Sequence, residues 1–149
     1  MECFFESISY LIGHGTIGFL VAAEIEIIPC QPIVQVAYLP CHSQDEYIQL
    51  FAKASLDKGK NSDFVEGLVY SHDEAVIMIG KMVPYSELKF TSFNPIGLWY
   101  KPWFYQHAKT YLSKPGFKGQ GNLESYTEYI PLRDYYHRHT KAIFWVYMY

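Results

Sequence analysis

The chain has 149 residues, half of them hydrophobic, with a formal net charge of -3 and a pI near 6.0. That length bounds it at one domain or parts of two, and the apolar share is enough to fill a packed core. So mild an acidic balance excludes the basic footprint of a nucleic-acid binder.

Ser7 to Ala23 carries no Asp, Glu, Lys or Arg, a run near the lower limit for a membrane span. It contains Gly13, His14, Gly15 and Gly18 and flows into alternating Glu24-Ile25-Glu26-Ile27, so a loop leading into a buried strand is expected. No basic n-region or cleavage site opens the chain, so no signal peptide is expected. Phe19 to Ile28 reads as a strand closed by Pro29. Ile33 to Leu39 alternates and ends at Pro40, a second strand. Ser43 with Glu46 forms a capping box, and Tyr47, Leu50, Phe51 and Ala54 follow at helical spacing, which predicts a helix over Gln44 to Leu56. Asp57 to Asp63 is a polar loop. Phe64 to Tyr70 and Ala75 to Met82 are β-rich runs joined by Ser71-His72-Asp73-Glu74, a hairpin. Pro84 to Asn94 is irregular. Pro102 opens a second helix, which Pro115, Gly116, Gly119 and Gly121 end in a loop. A last strand is expected near Ala142 to Tyr147.

From Ile33 onward the order is strand, helix, strand, strand, helix, strand. That is the split-βαβ order of a ferredoxin-like sandwich. It predicts an α+β fold: one antiparallel sheet over Ile33 to Val146 with two helices on one face. Phe19 to Ile28 is left over for a different sheet.

Aromatic residues are the compositional outlier at 18%, with 14 Tyr. Tyr is amphipathic, so the excess suits an apolar cavity or subunit face, or simply the faces of a sheet. Cys3, Cys30 and Cys41 are an odd set without metal-ligand spacing, as reduced intracellular thiols would be. Gly13-x-Gly15-x-x-Gly18 meets the letter of a dinucleotide fingerprint. The residues after it read as strand rather than helix, which rejects a Rossmann site. His137-x-His139 has no obvious third metal ligand, His107 and Asp134 being the only candidates, so no metal is expected. Ser71-His72-Asp73 is turn sequence and not a triad.

The densest constellation is Tyr135-Tyr136-His137-Arg138-His139, within Thr127 to Trp145. Five polar-tipped bulky side chains in a row cannot all face a core, so some face a cavity, a partner or solvent. This stretch resembles the delta(24)-sterol reductases (24-dehydrocholesterol reductase, seladin, DIMINUTO). So do Gly15-Thr16-Ile17-Gly18-Phe19-Leu20-Val21-Ala22-Ala23-Glu24-Ile25, Asp63-Phe64-Val65-Glu66-Gly67-Leu68-Val69-Tyr70 and Tyr100-Lys101-Pro102-Trp103-Phe104. The resemblance runs from about Gly15 to Trp145. It departs at Ser9 to His14, after Trp145, and in a longer loop over Lys114 to Thr127. Family members are several times longer, so an internal fragment of such an enzyme is expected.

The resemblance implies a vanillyl-alcohol-oxidase-type (PCMH-type) flavoprotein. Residues 1–30 would end its FAD-binding domain and 31–149 would begin its substrate, or cap, domain. FAD would lie along Gly15, Thr16, Ile17, Gly18, Phe19 and Leu20 through main-chain groups, where a Cβ would collide with the cofactor; a glycine bend before a buried strand is the alternative. NADPH would reduce FAD, and the reduced flavin would deliver hydride to the side-chain double bond of a sterol such as desmosterol. The second carbon needs a proton. His137 and Tyr136 can donate one, as can His139, and Arg138 can hold a charged or hydroxyl group. Alternatively the block is a structural Arg-His-Tyr cluster. Trp103, Tyr105, Tyr135 and His139 are candidate sterol contacts, though Trp103 and Tyr105 also fit a core. The family implies an endoplasmic reticulum or Golgi membrane, cytosolic face, through parent segments not present here. The rival reading is a truncated, non-catalytic sterol- or protein-binding module without flavin.

Overall fold

The computed structural model describes residues 21–22, 24, 27, 29–56, 61–114 and 126–140. Four strands build one antiparallel sheet: β1 (Ile33–Cys41), β2 (Phe64–Val69), β3 (Ala75–Val83) and β4 (Thr127–Pro131), in the order β2-β3-β1-β4. β1 is central because it is apolar on both sides. Ile33, Leu39 and Cys41 point to one face, Val34, Val36 and Tyr38 to the other, and all are buried. It runs through Pro40 to Cys41, past the expected end. β4 pairs with it only as far as Ala37, so the last residues of β1 have an open edge, where a proline is tolerated.

Helix α1 (Gln44–Leu56) starts at the expected cap. The Glu46 N–H donates to Ser43 Oγ at 3.2 Å, and Glu46 Oε2 accepts from the His42 N–H at 2.9 Å. Its Tyr47, Leu50 and Phe51 pack on Leu39, Cys41, Ala75 and Ile77. β2 lets the helix approach through Gly67, where a Cβ would lie 2.5 Å from Tyr47 Oη. The β2–β3 hairpin closes as expected, with the Tyr70 and Ser71 N–H groups donating to the Glu74 carbonyl at 2.9 and 3.2 Å.

Helix α2 (Phe104–Lys109) continues as a 3-10 turn, Thr110–Ser113, and α3 (Leu132–Tyr136) follows β4 directly. Phe104, Ala108 and Tyr111 pack on Val34, Val36, Tyr38, Val76 and Met78, and Tyr135 joins them. The helices therefore lie on opposite faces of the sheet, α1 on one and α2 with α3 on the other. This corrects the expectation of both on one face.

The fourth strand is also earlier than expected, at Thr127–Pro131; 142–147 lies outside the described residues. Of the expected strand over 19–28, only 21–22, 24 and 27 are described, and none of these is in a strand. His137 and His139 sit in a turn after α3, not on a strand, so alternation does not put them on one side.

Gly80 of β3 is closely packed. A Cβ there would meet Val34 Cγ1 at 3.1 Å and Phe64 Cβ at 3.2 Å. Gly80→Val should therefore destabilise the chain by about 1–3 kcal/mol through overpacking. A lower urea midpoint with an unchanged slope would register it.

Candidate functional site

Two polar clusters are built into the face that carries α2 and α3. The first centres on Glu128 of β4, which is 6% exposed. Its register opposite Val36 points it inward, where only hydrogen bonds can keep a carboxylate. Tyr38 Oη donates to Oε1 and Asn94 Nδ2 donates to Oε2 at 2.9 Å. His107 Nε2 from α2 lies 3.0 Å from both oxygens. Lys101 Nζ donates to Asn94 Oδ1 at 2.9 Å. Tyr38 stacks on Tyr111 at 4.1 Å, and both meet the His107 ring edge-on, at 6.0 and 5.5 Å. Burial pushes the Glu128 carboxyl up, but the His107 imidazole and the Tyr38 and Asn94 hydrogen bonds outweigh it and hold it below the ordinary 4.5. Burial, then the neighbouring Glu128 charge, pushes the Tyr38 hydroxyl well above the usual tyrosine value, so it stays a donor. A cleft of about 410 Å³ opens beside this cluster, with Asn94, Lys101, His107, Tyr111 and Glu128 among its lining residues.

The second cluster centres on Glu66 of β2. Arg138 donates to its Oε2 from Nε at 2.8 Å and from an Nη at 2.6 Å, and His139 Nε2 lies 2.5 Å from Oε1. Arg138 also donates to the Tyr135 carbonyl at 2.7 Å, and its guanidinium lies 4.1 Å over the Tyr135 ring. Burial pushes the Glu66 carboxyl up, while the His139 hydrogen bond and the Arg138 guanidinium bring it below 4.5. The Tyr135 hydroxyl is buried without a hydrogen-bond partner among the described residues and is pushed up to about 12, chiefly by that burial. A second, more apolar cleft of about 290 Å³ lies nearby, lined by Ile96, Pro102, Trp103 and Phe104 and also by Arg133, Asp134, His137 and Arg138.

Both carboxyls titrate lower in the folded chain than the ordinary 4.5. A depressed carboxyl favours folding above its unfolded pKa and loses that contribution as pH falls through the folded value. Stability should therefore hold down to about pH 5 and fall steeply below it, in a window set by these two groups. Melts of Glu66→Gln and Glu128→Gln should each show a flatter acid limb.

The residues singled out in the sequence divide. Trp103, His137 and Arg138 come together on the apolar cleft. Tyr135 lies in the core and His139 in the Glu66 cluster. Tyr105 packs edge-on to Trp103 at 6.0 Å, and its carbonyl accepts from Tyr70 Oη at 2.6 Å. Tyr136 is 59% exposed, against Phe64. His72 and Asp73 form an exposed turn pair. Among the described residues no group of three or more His, Cys, Asp or Glu could hold a metal ion. The Glu128 cluster is not visible in the sequence, which singles out only His107 of its members, as a candidate metal ligand. The available signal was a carboxylate between Tyr126 and Tyr129 at an inward alternation.

Gly15, Thr16, Ile17, Gly18, Phe19 and Leu20 lie outside the described residues. Gly97, the glycine on the apolar cleft, has its N–H occupied by Asp134 Oδ2 at 3.1 Å, and the polar cleft has no glycine in its lining. Among the described residues no helix is long and apolar enough to cross a membrane.

Fold and clusters together define an α+β sheet domain with two side-chain-lined clefts on one face. No family profile matches the chain, and no solved structure matches it. It is 47% identical over 131 residues to the Delta(24)-sterol reductase of Homo sapiens and 44% identical over 140 residues to that of Arabidopsis thaliana. It is 42% identical over 133 residues to a Delta(24)-sterol reductase homolog of Caenorhabditis elegans. The chain is related to the delta(24)-sterol reductases. These matches cover 88–89% of it, and it spans only about a quarter (23–24%) of the length of those relatives.

Proposed function

We propose that this chain is a segment of a sterol side-chain reductase and forms part of the wall of its substrate site. The observation that carries this reading is the 42–47% identity to proteins of that name over nearly nine-tenths of the chain. The chemistry is addition of hydride to one carbon of an isolated double bond and of a proton to the other. FAD and NADPH, implied by the resemblance, would supply the hydride when bound; no described residue is assigned to either. The same resemblance implies an endoplasmic reticulum or Golgi membrane for the whole enzyme.

The described residues contribute to the other half of the reaction. The apolar cleft suits a branched hydrocarbon side chain, with Ile96, Pro102 and Phe104 giving dispersion contacts. Positive charge developing on the substituted carbon is stabilised by the face of Trp103. His137, exposed and in the lining of the cleft, is the proton donor in this reading. Arg138, already committed to Glu66, holds the turn that carries it.

Tryptophan fluorescence tests substrate binding. Desmosterol delivered from cyclodextrin should change the emission of the chain saturably, and Trp103→Phe should remove most of the change. A signal that rises linearly without saturation would contradict the proposal.

A further inference from the structure

We infer that the 410 Å³ cleft beside Glu128 takes the hydroxyl end of a sterol alcohol, between His107 and Lys101. The inference rests on the sterol reading, which uses the apolar cleft and leaves this polar one unassigned. A hydroxyl removed from water needs an acceptor and a donor. His107 supplies the acceptor. Its Nε2 faces both oxygens of an ionised carboxylate at 3.0 Å, so Nε2 carries the proton. In the neutral ring Nδ1 is then bare, and it has no hydrogen-bond partner among the described residues.

Lys101 supplies the donor. Its ammonium gives one N–H to Asn94 Oδ1 at 2.9 Å and has no carboxylate partner among the described residues. Asn94 couples the two groups, because its Nδ2 donates to Glu128 at 2.9 Å while its Oδ1 accepts from Lys101. Tyr38 and Tyr111, edge-on at 6.0 and 5.5 Å, keep the imidazole from turning.

The surroundings match one hydroxyl on a hydrocarbon body. Phe93, Ile96 and Pro102 line the same cleft, and Ile96 and Pro102 also wall the apolar one. The two clefts thus share a wall, polar on one side and apolar on the other.

Saturation binding to the 149-residue chain, with desmosterol and its 3-methyl ether as probes, tests this. The ether can still accept from Lys101 but cannot donate to His107. It should bind about tenfold more weakly, the loss of one buried hydrogen bond. Lys101→Met should weaken desmosterol by about the same factor; the substitution removes a charge whose one bond is to an amide oxygen, so folding is not at risk. In nitrogen-15 spectra the His107 Nδ1 resonance should move with desmosterol and not with the ether. Equal binding of the two probes with an unmoved His107 resonance overturns the site and leaves the sterol reading standing. Binding of neither overturns both.

Discussion

Replacing His107 with alanine should destabilise the chain by about 1.5–3 kcal/mol, the loss expected when a hydrogen-bond partner of a buried carboxylate is removed. Glu128 would stay buried, keeping its bonds from Tyr38 and Asn94 but losing the imidazole that touches both oxygens. Domains of this kind have about 5–15 kcal/mol in total, so the loss is a sizeable fraction of it. The Glu128→Gln change made in the His107→Ala background should recover part of the loss, because it removes the stranded charge. Urea titrations of the two single variants and the double variant close the cycle. A coupling of about 0.5–3 kcal/mol is expected for residues sharing one network. Additive effects would show that the pair does not act as a unit.

Arg138→Ala and His137→Ala should part company. Arg138 is tied to Glu66 and to the Tyr135 carbonyl and lies over the Tyr135 ring. Its removal leaves Glu66 with His139 alone. The pair keeps side-chain exposures of 17% and 20%, so solvent moderates the loss to about 2–3 kcal/mol, under the range for a fully buried pair. His137 is exposed and its removal should change stability by no more than about 0.5 kcal/mol. Turnover reverses the order. Loss of a positioned proton donor costs about 10²–10⁴-fold in rate, so in the whole enzyme proposed above His137→Ala should cut turnover per folded molecule by that factor, while Arg138→Ala, which acts only through the turn that carries His137, should cut it less. Equal turnover in His137→Ala and the parent would reduce the segment 137–140 to scaffold.

The elements with local signals were legible in the sequence. The Ser43/Glu46 capping box and the spacing of Tyr47, Leu50 and Phe51 located α1, and alternation about a four-residue turn located the hairpin. β4 was not legible. Thr127-Glu128-Tyr129-Ile130-Pro131 ends in a proline and turns a carboxylate inward. Its partner is distant, as the Gln35–Tyr129 contact across 94 positions shows. Periodicity says that α1 covers a sheet but not which face, so the split of helices between faces escaped as well. The block at 135–139 divides, as five bulky polar-tipped side chains in a row must. Tyr135 goes inward, Tyr136 outward, and Arg138 and His139 turn to Glu66. The Glu128 cluster escaped because its members come from β1, β4, α2 and the segment before α2, which only the fold assembles.

The central claim is that this chain works as a segment of a sterol reductase, and a chimera tests it most directly. The 131 residues of the Homo sapiens Delta(24)-sterol reductase that match this chain are exchanged for its own, and the product is expressed in cells lacking that enzyme. Reduction of labelled desmosterol at its side-chain double bond, lost again on His137→Ala, is the result the account predicts. A chimera that folds and is expressed at the level of the parent but leaves desmosterol unreduced would contradict it.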